Sequence, residues 1–508
     1  MFKKILVANR GEIAVRVMRT CRELGIPTVA VFSEPDRTAL HTIYATEAYP
    51  IGPAPSAESY LNIDRIIETA KKAGAEAIHP GYGFLSERAA FARACKDAGL
   101  VFIGPDPHAI DTMGEKTLAR RTMMAAGVPV VPGTERPVET LALAQEAARK
   151  IGYPLMLKAA AGGGGKGMRL VKTEAELQPA FETAQREATA AFGDNSVYLE
   201  RYIECPRHIE VQVFGDRTGQ VIHLNERECS IQRRNQKVVE ESPSPAVDEE
   251  LRRRMGDVAI KAAQAVNYVG AGTIEFLLDQ EGRFYFLEMN TRLQVEHPVT
   301  ELTTGYDLVR EQIRVAKGHP MQIKPMAPNG HAIEARVYAE DPEHGFIPSP
   351  GRVSFLRTPG GFGVRIDAGV YAGAEVTPHY DPMISKLSVW AQSRDIAVAR
   401  MDRALSEYVV NGVTTNITFL RRVMQHAAFK EGKLDTGFID RHLAGGKRPL
   451  PEDRYVAVAM VAAAIRQYEY GRELADKIAT GAAADRGPSN WRLLGRRATL
   501  RARMGADS

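Results

Sequence analysis

Five polar residues at alternating positions near the middle of the chain have the side-chain types of a metal and anion site. They are Glu288, Asn290, Arg292, Gln294 and Glu296, directly after the apolar segment 284–287. A β-strand would place all five on one face, and Glu275 is predicted on a neighbouring strand. Two carboxylates and an amide oxygen near phosphates are the hard ligands that Mg²⁺ prefers. A half-buried strand with one solvated face is the common explanation of such alternation, but the interleaved arginine and glutamate favour a site.

A glycine-rich segment at 162–167 lies between two predicted strands, 153–158 and 168–171. Because glycine has no Cβ, its backbone can approach a phosphate closely and point N–H groups at the oxygens. A glycine run alone is equally compatible with a flexible surface loop. Lys158, at the end of the incoming strand, and Lys116, on the preceding helical connection, favour a triphosphate site. No Gly-Lys-Ser/Thr follows, so the segment is predicted to be a hairpin rather than a P-loop.

A third candidate is the charged run 226–237, which in isolation is typical of a solvated loop.

The elements that must position these residues begin with alternating strands and helices. The hydrophobic periodicity predicts strands at 5–8, 28–32, 75–79 and 100–104, with helices at 12–24 and 60–73 among them. This order indicates a small doubly wound parallel sheet. Ligand loops in such sheets lie at the carboxyl ends of strands, where the segments 8–12 and 79–87 fall. The sheet is followed by a helical connection at 111–126 and a larger α+β region at 206–444. The tail contains a predicted helix at 455–474 and a basic stretch at 491–503. The predicted fold class is therefore multidomain α/β and α+β.

Length and composition restrict the possible classes of protein. A chain of 508 residues with 44% apolar and 25% charged residues is expected to form two to four globular domains. A net charge of +4 does not indicate nucleic-acid binding. Cys21, Cys95, Cys205 and Cys229 are widely spaced and form no paired or metal-ligand pattern, which favours a reduced, cytoplasmic setting. Neither a signal peptide nor a membrane-spanning segment is predicted.

Taken together, these motifs resemble biotin carboxylases of the ATP-grasp superfamily over about residues 1–445. The similarity is carried by the Ala-Asn-Arg-Gly-Glu-Ile opening and by segments 79–87, 162–168, 230–241, 288–300 and 381–386. The resemblance implies a pre-ATP-grasp domain at 1–112, an ATP-grasp domain at 113–330 with a mobile lid at about 131–203, a C-terminal domain at 331–445 and a tail at 446–508. It also implies ATP- and bicarbonate-dependent carboxylation of biotin through carboxyphosphate.

The resemblance assigns a role to each matching residue. The ATP-binding residues would be Lys116, Lys158, Gly164, Gly165, Glu200, Arg201, Tyr202, Ile203, His208, Gln232 and Asn235. Mg²⁺ or Mn²⁺ would be held by Glu275, Glu288 and Asn290, and bicarbonate by Lys237, Arg292, Gln294 and Val295. Glu296 would be the base, and Arg336 would stabilise the biotin enolate. Asn235 departs from the family, in which histidine is frequent at this position.

The resemblance also implies the partners. Biotin is attached in this family to the lysine of a Met-Lys dipeptide, and none of the sixteen methionines here is followed by lysine. A separate biotin carboxyl carrier protein and separate carboxyltransferase subunits are therefore expected, together with homodimerisation and no nucleic-acid or membrane partner. Asn235 and the tail favour an acetyl-CoA or propionyl-CoA carboxylase, as in fatty acid biosynthesis, over a pyruvate carboxylase.

Two rival interpretations differ in class. Another ATP-grasp ligase that forms an acyl phosphate would share the glycine hairpin and the metal strand, but it would not need the segment 230–237 or Arg336 in its present context. A catalytically silent scaffold subunit would bind nucleotide without turnover. The intact set of metal, base and bicarbonate residues argues against the scaffold.

Overall fold

The computed structural model describes residues 1–134, 136–159, 168–192 and 197–443, with scattered residues between 458 and 472. The chain divides into two compact units, 1–444 and 445–508. The predicted phosphate-binding residues Gly164 and Gly165 lie outside the described residues, as does the basic stretch 491–503. Within the predicted tail helix 455–474, the residues that are described are helical.

The N-terminal part of the first unit contains the predicted parallel sheet. Its strands are β1 Ile5–Val7, β2 Thr28–Ser33, β3 Glu47–Gly52, β4 Ala77–His79 and β5 Val101–Phe102. They pair in the order β3-β2-β1-β4-β5. The flanking helices are α1 Gly11–Glu23, α2 Leu40–Tyr44, α3 Ile63–Lys72 and α4 Ala89–Asp97. Helix α3 begins three residues later than predicted because Asn62 caps it, accepting the Arg65 N–H.

A side chain from far along the chain occupies the carboxyl edge of this sheet. The Tyr380 hydroxyl lies 2.6 Å from both Ser33 Oγ and the Ala54 carbonyl oxygen. Its ring packs edge-on against Tyr60 and beneath the Arg10 guanidinium, 4.4 Å from the ring centre. The carboxyl edge of the sheet, where doubly wound sheets commonly bind ligands, is therefore partly covered near the ends of β2 and β3 by a side chain of the protein itself.

Four helices and a small antiparallel sheet follow. The predicted helical connection is two helices, α5 Pro107–Gly114 and α6 Lys116–Ala125, because Glu115 between them is extended. Next come α7 Leu141–Ile151, β6 Leu155–Ala159, β7 Met168–Val171, α8 Glu174–Phe192 and β8 Val197–Arg201. Strands β6 and β7 pair antiparallel, as the hairpin prediction requires, and β8 pairs with the other edge of β6.

The largest sheet carries the three predicted metal ligands together with His208, Gln232, Lys237 and Arg336. Its strands are β9 Arg207–Gly215, β10 Val221–Arg233, β11 Gln236–Ser242, β12 Gly270–Leu278, β13 Phe284–Asn290, β14 His331–Tyr338, β19 Val364–Ala368 and β21 Met383–Ala391. They pair in the order β13-β12-β9-β10-β11-β14-β21-β19. Three helices belong to the same stretch of chain, α9 Glu249–Gln264, α10 His297–Thr304 and α11 Leu308–Ala316.

Shorter elements complete the described part of this unit. The strands are β15 Glu340–Asp341, β16 Ile347–Pro348, β17 Gly351–Arg352, β18 Phe355–Arg357, β20 Glu375–Val376 and β22 Val409–Asn411. The helices are α12 Arg394–Glu407, α13 Ile417–Gln425, α14 Ala427–Lys430 and α15 Phe438–His442.

The two faces of the large sheet differ in chemistry along β14 and β21. Ile333, Ala335, Leu387 and Val389 belong to an apolar core that also includes residues of α12 and α13. Since side chains alternate along a strand, the opposite face carries the intervening residues, Glu334, Arg336, Lys386 and Ser388, all of them buried. This buried polar face contains both predicted and unpredicted charges of the site.

Candidate active site

Lys237 lies at the centre of a buried group of carboxylates. Its Nζ donates hydrogen bonds to Glu210 at 2.5 Å, to Glu275 at 2.8 Å and to Glu296 at 2.7 Å. The lysine side chain is 12% exposed and the Glu296 side chain 2%. Burial lowers the pKa of Lys237, but the surrounding carboxylates outweigh it, so the pKa lies well above its ordinary value. Lys237 therefore stays protonated while it binds these three carboxylates.

Arg227 lies next to this group and is fully buried. It donates hydrogen bonds to Glu210, Gln212, Thr273, Gln294 and Thr300, at 2.5–3.0 Å. The charged run 226–237 is therefore not a solvated loop: it forms the end of β10, the turn and the start of β11, with residues 226–230 buried. Arg227 was not among the predicted site residues, since a run of mixed charges is typical of an exposed segment.

The prediction that one strand carries all five alternating polar residues is wrong. Strand β13 ends at Asn290, so Glu288 and Asn290 lie on the strand, and helix α10 begins at His297. Arg292, Gln294 and Glu296 lie in the irregular segment between the two elements. The amino end of that segment is bound by Glu87, which accepts the Thr291 N–H at 3.0 Å and Arg292 Nε at 2.9 Å. Glu87 belongs to the loop after β4 and was not predicted as a site residue.

The irregular segment nevertheless brings the predicted residues together. Gln294 Nε2 donates to Glu275 at 2.8 Å. Arg292 Nη2 donates to the Asn290 side-chain oxygen at 2.7 Å. Arg336 Nη2 donates to Glu296 at 2.9 Å from the opposite side. Lys237, Arg292, Gln294, Glu296 and Arg336 thus form one connected set, which we call the anion cluster.

Arg336 is shared between two carboxylates. Its Nε donates to Glu240 at 2.6 Å while its Nη2 binds Glu296. Burial raises the pKa of Glu240 to about 8, although Arg336 opposes the rise. Burial would also raise the pKa of Glu296, but Lys237, Arg336 and Arg227 hold it well below its ordinary value. In this arrangement Glu296 is ionised and its negative charge is compensated by cations.

The predicted metal ligands lie on adjacent strands. Glu275 of β12 pairs directly with Glu288 of β13, and Thr273 pairs with Asn290. Asn290 Nδ2 donates to Glu275 at 2.9 Å. Burial and the neighbouring Glu275 charge raise the pKa of Glu288. His208 Nε2 lies 2.9 Å from the second oxygen of Glu275, and His208, Glu210 and Glu275 are close enough to bind one metal ion. Sequence reasoning did not include Glu210 among possible ligands.

The predicted nucleotide-binding residues are distributed over several elements. Lys158 of β6 forms an ion pair with Glu200 of β8, and Arg120 lies 3.7 Å from the same carboxylate. Ile203 belongs to a small apolar cluster with Val131 and Tyr285. At the end of β8, the Arg201 N–H donates a hydrogen bond to the Pro132 carbonyl oxygen, and the next N–H, that of Tyr202, donates to the Pro154 carbonyl oxygen. Lys116 is the first, exposed residue of α6. We call Lys116, Lys158, Glu200, Ile203 and Glu288 the nucleotide face.

Gln232 and Asn235 lie at different depths. Gln232 Nε2 lies 2.8 Å from His208 Nδ1, close to the carboxylates. Asn235 is exposed and occupies the turn between β10 and β11, where Arg234 and Asn235 both have positive φ, 50° and 64°. Two positive φ angles in a two-residue turn match the type I′ hairpin, in which asparagine is favoured. The conformation of the turn gives a physical reason for asparagine at this position.

Comparisons with known proteins relate the whole site to three domain families. The chain matches the N-terminal domain of biotin carboxylase over residues 1–110. It matches the ATP-binding domain of the carbamoyl-phosphate synthase L chain over residues 115–324. It matches the C-terminal domain of biotin carboxylase over residues 334–441. In the described residues, no helix has the length and apolar content needed to cross a membrane.

Several curated relatives and a solved structure are similar over most of the chain. The chain is 56% identical to a pyruvate carboxylase subunit of Methanothermobacter thermautotrophicus, over 88% of this chain and 91% of the relative. It is 56% identical to the biotin carboxylase of a Nostoc species, over 86% and 98%. It is 52% identical to the α subunit of rat methylcrotonoyl-CoA carboxylase, over 86% and 62%. The biotin carboxylase domain dimer of Hydrogenobacter thermophilus 2-oxoglutarate carboxylase, with MgADP, ADP and bicarbonate, superposes with a TM-score of 0.80 at 50% identity, over 87% and 98%.

Proposed function

Since this chain belongs to the biotin carboxylase family of ATP-dependent ligases, we propose that it carboxylates biotin on a separate carrier protein, in the first half-reaction of an acyl-CoA carboxylase. The observation that carries the proposal is the anion cluster, in which Glu296 contacts both Lys237 and Arg336. One carboxylate between two buried cations can exchange a proton with an anionic substrate that those cations bind. The same site thus contains an anion-binding group and a base.

The first step is the activation of bicarbonate. Bicarbonate is a poor electrophile, and phosphorylation by ATP converts it to carboxyphosphate. In the proposal Lys237, Arg292 and Gln294 bind the anion, and Glu296 accepts its proton as the bicarbonate oxygen attacks the γ-phosphorus. The anion competes with Glu296 for Lys237. As Lys237 turns to the substrate, the pKa of Glu296 rises towards its ordinary value and the carboxylate becomes a stronger base.

The second step is carboxylation. Carboxyphosphate yields CO₂ and phosphate, phosphate takes the proton from the biotin ureido nitrogen, and that nitrogen then attacks CO₂ to form carboxybiotin. Arg336 would hydrogen-bond the ureido oxygen while negative charge develops on it, an electrostatic role that is strongest in a site shielded from water. Glu240 shares Arg336 at 2.6 Å and so fixes the direction of the guanidinium.

The residues proposed for Mg²⁺ or Mn²⁺ fit such an ion. Glu275 and Glu288 are directly opposed on neighbouring strands, and burial and the Glu275 charge raise the pKa of Glu288. A divalent cation would relieve this repulsion, and Asn290 adds a third oxygen. When bound, the ion supplies charge neutralisation for the ATP phosphates, to which Lys116 and Lys158 would add.

Lengths and names of the relatives support the choice of partners. The match spans 98% of the Nostoc biotin carboxylase, but 62% of the longer α chain of rat methylcrotonoyl-CoA carboxylase. Similarity to a biotin carboxylase over nearly its whole length supports a biotin carboxyl carrier protein and carboxyltransferase subunits as the proposed partners. The related Hydrogenobacter structure is a dimer, which supports a homodimer. The Methanothermobacter pyruvate carboxylase subunit is equally similar, so pyruvate is the second candidate for the final acceptor.

The experiment that tests the proposal is ATP hydrolysis by the purified chain with Mg²⁺ and free biotin, with and without bicarbonate. We expect turnover that requires bicarbonate and that collapses in Glu296→Ala. ATP binding without bicarbonate-dependent turnover, even with a biotinylated carrier, would instead support a silent scaffold. Reconstitution with carboxyltransferases for acetyl-CoA, propionyl-CoA or pyruvate then identifies the acceptor by transfer of labelled carboxylate.

A further inference from the structure

Lys386 is a buried cation to which neither the motifs nor the proposed chemistry assign a role. It lies on β21, with its side chain 0% exposed. Its Nζ donates a hydrogen bond to the Val295 carbonyl oxygen at 2.7 Å. Val295 belongs to the irregular segment that carries Arg292, Gln294 and Glu296.

The position of Lys386 in the sheet explains why it reaches this segment. Lys386 pairs directly with Arg336 on the neighbouring strand β14, so both side chains lie on the same face. Arg336 donates to the Glu296 carboxylate, and Lys386 donates to the backbone oxygen of the preceding residue. Two neighbouring cations thus hold two consecutive residues, one through the side chain and one through the main chain.

Two buried carboxyl groups lie close to Lys386. Asp367 is its direct partner on β19, the strand on the other side of β21. The Glu12 carboxylate, from the first turn of α1, lies 3.5 Å from Nζ. Among the described residues, neither Glu12 oxygen has a hydrogen-bond partner. An unpaired lysine would be costly to bury; here Glu12 and Asp367 lie beside Lys386, while its hydrogen bond goes to the Val295 carbonyl oxygen.

We infer that Lys386 is a positioning residue for bicarbonate, acting through the Val295 carbonyl to set the geometry of the segment between Arg292 and Glu296. The inference rests on the proposed function, because it assumes that this segment binds bicarbonate. Glu87 fixes the amino end of the segment through Thr291 and Arg292, and Lys386 fixes its carboxyl end. Without the second anchor, the peptide between Gln294 and Glu296 can rotate and both side chains lose their alignment with the substrate.

The test is Lys386→Met, which keeps the length of the side chain and removes its donor and charge. Bicarbonate-dependent ATP hydrolysis is measured against bicarbonate and against ATP separately. We expect KM for bicarbonate to rise about tenfold or more and KM for ATP to stay within about twofold, because a misaligned group loses its own substrate and not the other. Lys386→Arg, which can still donate to the carbonyl, should recover part of the bicarbonate affinity.

Ser388→Ala is the matched control. Ser388 lies two residues along β21 on the same buried face, but its hydroxyl donates to Glu334 and not to the segment. It should leave both KM values unchanged. If Lys386→Met does not yield folded protein, Lys386→Gln is measured by the same criterion, since its shorter side chain also loses the contact.

Two outcomes would overturn the inference: an unchanged KM for bicarbonate, or equal increases for bicarbonate and ATP, which would indicate a general structural role. Failure of the proposed function is distinguishable, because the unmodified chain would then show no bicarbonate-dependent turnover.

Discussion

The anion cluster and the nucleotide face differ in how deeply their charged side chains are buried and in how those charges are compensated. Glu296 and Lys237 are almost completely buried, 2% and 12% exposed, and their charges are neutralised by one another and by Arg336 and Arg227. On the nucleotide face, Lys158 is 39% exposed, and Glu288 reaches the surface although its surroundings desolvate the carboxylate enough to raise its pKa. The members of the nucleotide face come from α6, β6, β13, β8 and the residues just after β8. The anion cluster is connected by hydrogen bonds, directly at Glu296 and through Glu275 and Asn290 for Gln294 and Arg292.

The difference shows how a protein can prepare for two kinds of substrate. A small anion offers few contacts, so the groups that bind it must already be held in place, at the cost of burying charge. A nucleotide is large and offers many contacts, so its binding groups can be exposed and widely spaced. Mutations should therefore affect stability mainly in the first region and ligand affinity mainly in the second.

Replacing Arg227 should have the largest effect. Arg227→Met leaves one oxygen of Glu210 and the side-chain oxygens of Gln212 and Gln294 without their donor at a fully buried position. We expect a loss of about 3–5 kcal/mol in the free energy of unfolding, measured as a lower thermal midpoint. Arg253→Met is the control, because Arg253 pairs with Glu250 and Asp257 on the surface at 62% exposure. Similar shifts in both variants would contradict the contrast.

Exchanging a carboxylate for an amide in each region should separate their roles. Glu296→Gln is expected to lower bicarbonate-dependent turnover by a factor on the order of 10² to 10⁴, because the base is lost. Glu288→Gln should instead raise the Mg²⁺ concentration required for half-maximal turnover. A titration of ATP hydrolysis with Mg²⁺ in both variants measures the difference. Recovery of Glu296→Gln by added Mg²⁺ would show that the two regions are not separable in this way.

The pH dependence of stability should reveal the charge balance behind the anion cluster. Burial raises the pKa of Glu12 to about 7, against 4.5 ordinarily, although Lys386 opposes the rise. Between pH 5 and 7 the folded chain therefore keeps a proton that the unfolded chain has released, so stability falls as pH rises. The loss is on the order of 2 kcal/mol across this window.

Glu12→Gln removes this titration. Thermal midpoints of the unmodified chain and the variant are measured at pH 5, 6 and 7. From pH 5 to pH 7, the midpoint of the unmodified chain should fall relative to that of the variant. Parallel curves would mean that Lys386 and its surroundings compensate Glu12 fully.

The smallest effect is expected on the nucleotide face. Lys158→Met removes a partly exposed cation paired with Glu200. We expect KM for ATP to rise about tenfold, equivalent to about 1.4 kcal/mol, with the thermal midpoint and KM for bicarbonate unchanged. Lys150→Met is the control, since Lys150 forms an exposed pair with Glu146 within α7. A large fall in the midpoint of Lys158→Met would remove the proposed distinction between the regions.

Local patterns were sufficient to predict four of the five strands of the N-terminal sheet and the β6–β7 hairpin, but not the edge strand β3. The strands of the sheet are short apolar runs separated by helices with one apolar face, and both periods are visible along the chain. The same logic failed after Asn290, because alternating polarity cannot distinguish a strand from an extended segment whose side chains bind residues distant in sequence. Glu87 and Lys386, which hold that segment, are about 200 and 90 residues away from it.

The buried charges were the least predictable part of the site. Glu226, Arg227 and Glu228 are adjacent, and such a run normally indicates a solvated surface. They are buried because strands on both sides and α10 supply partners from several separate segments, which no local pattern encodes. Glu210 and Glu240 were not predicted for the same reason, since each lies among buried residues on its strand and has partners distant in sequence.

The position of Tyr380 has a consequence for the order in which the chain can mature during synthesis. Arg10, Ser33 and Tyr60 are made early, but the side chain that partly covers the carboxyl edge of their sheet is added more than 300 residues later. If the N-terminal sheet forms during synthesis, this edge stays open until Tyr380 has emerged from the ribosome. A product truncated before Tyr380 would expose an aromatic and charged edge, the kind of surface by which chaperones and proteases distinguish unfinished proteins from finished ones.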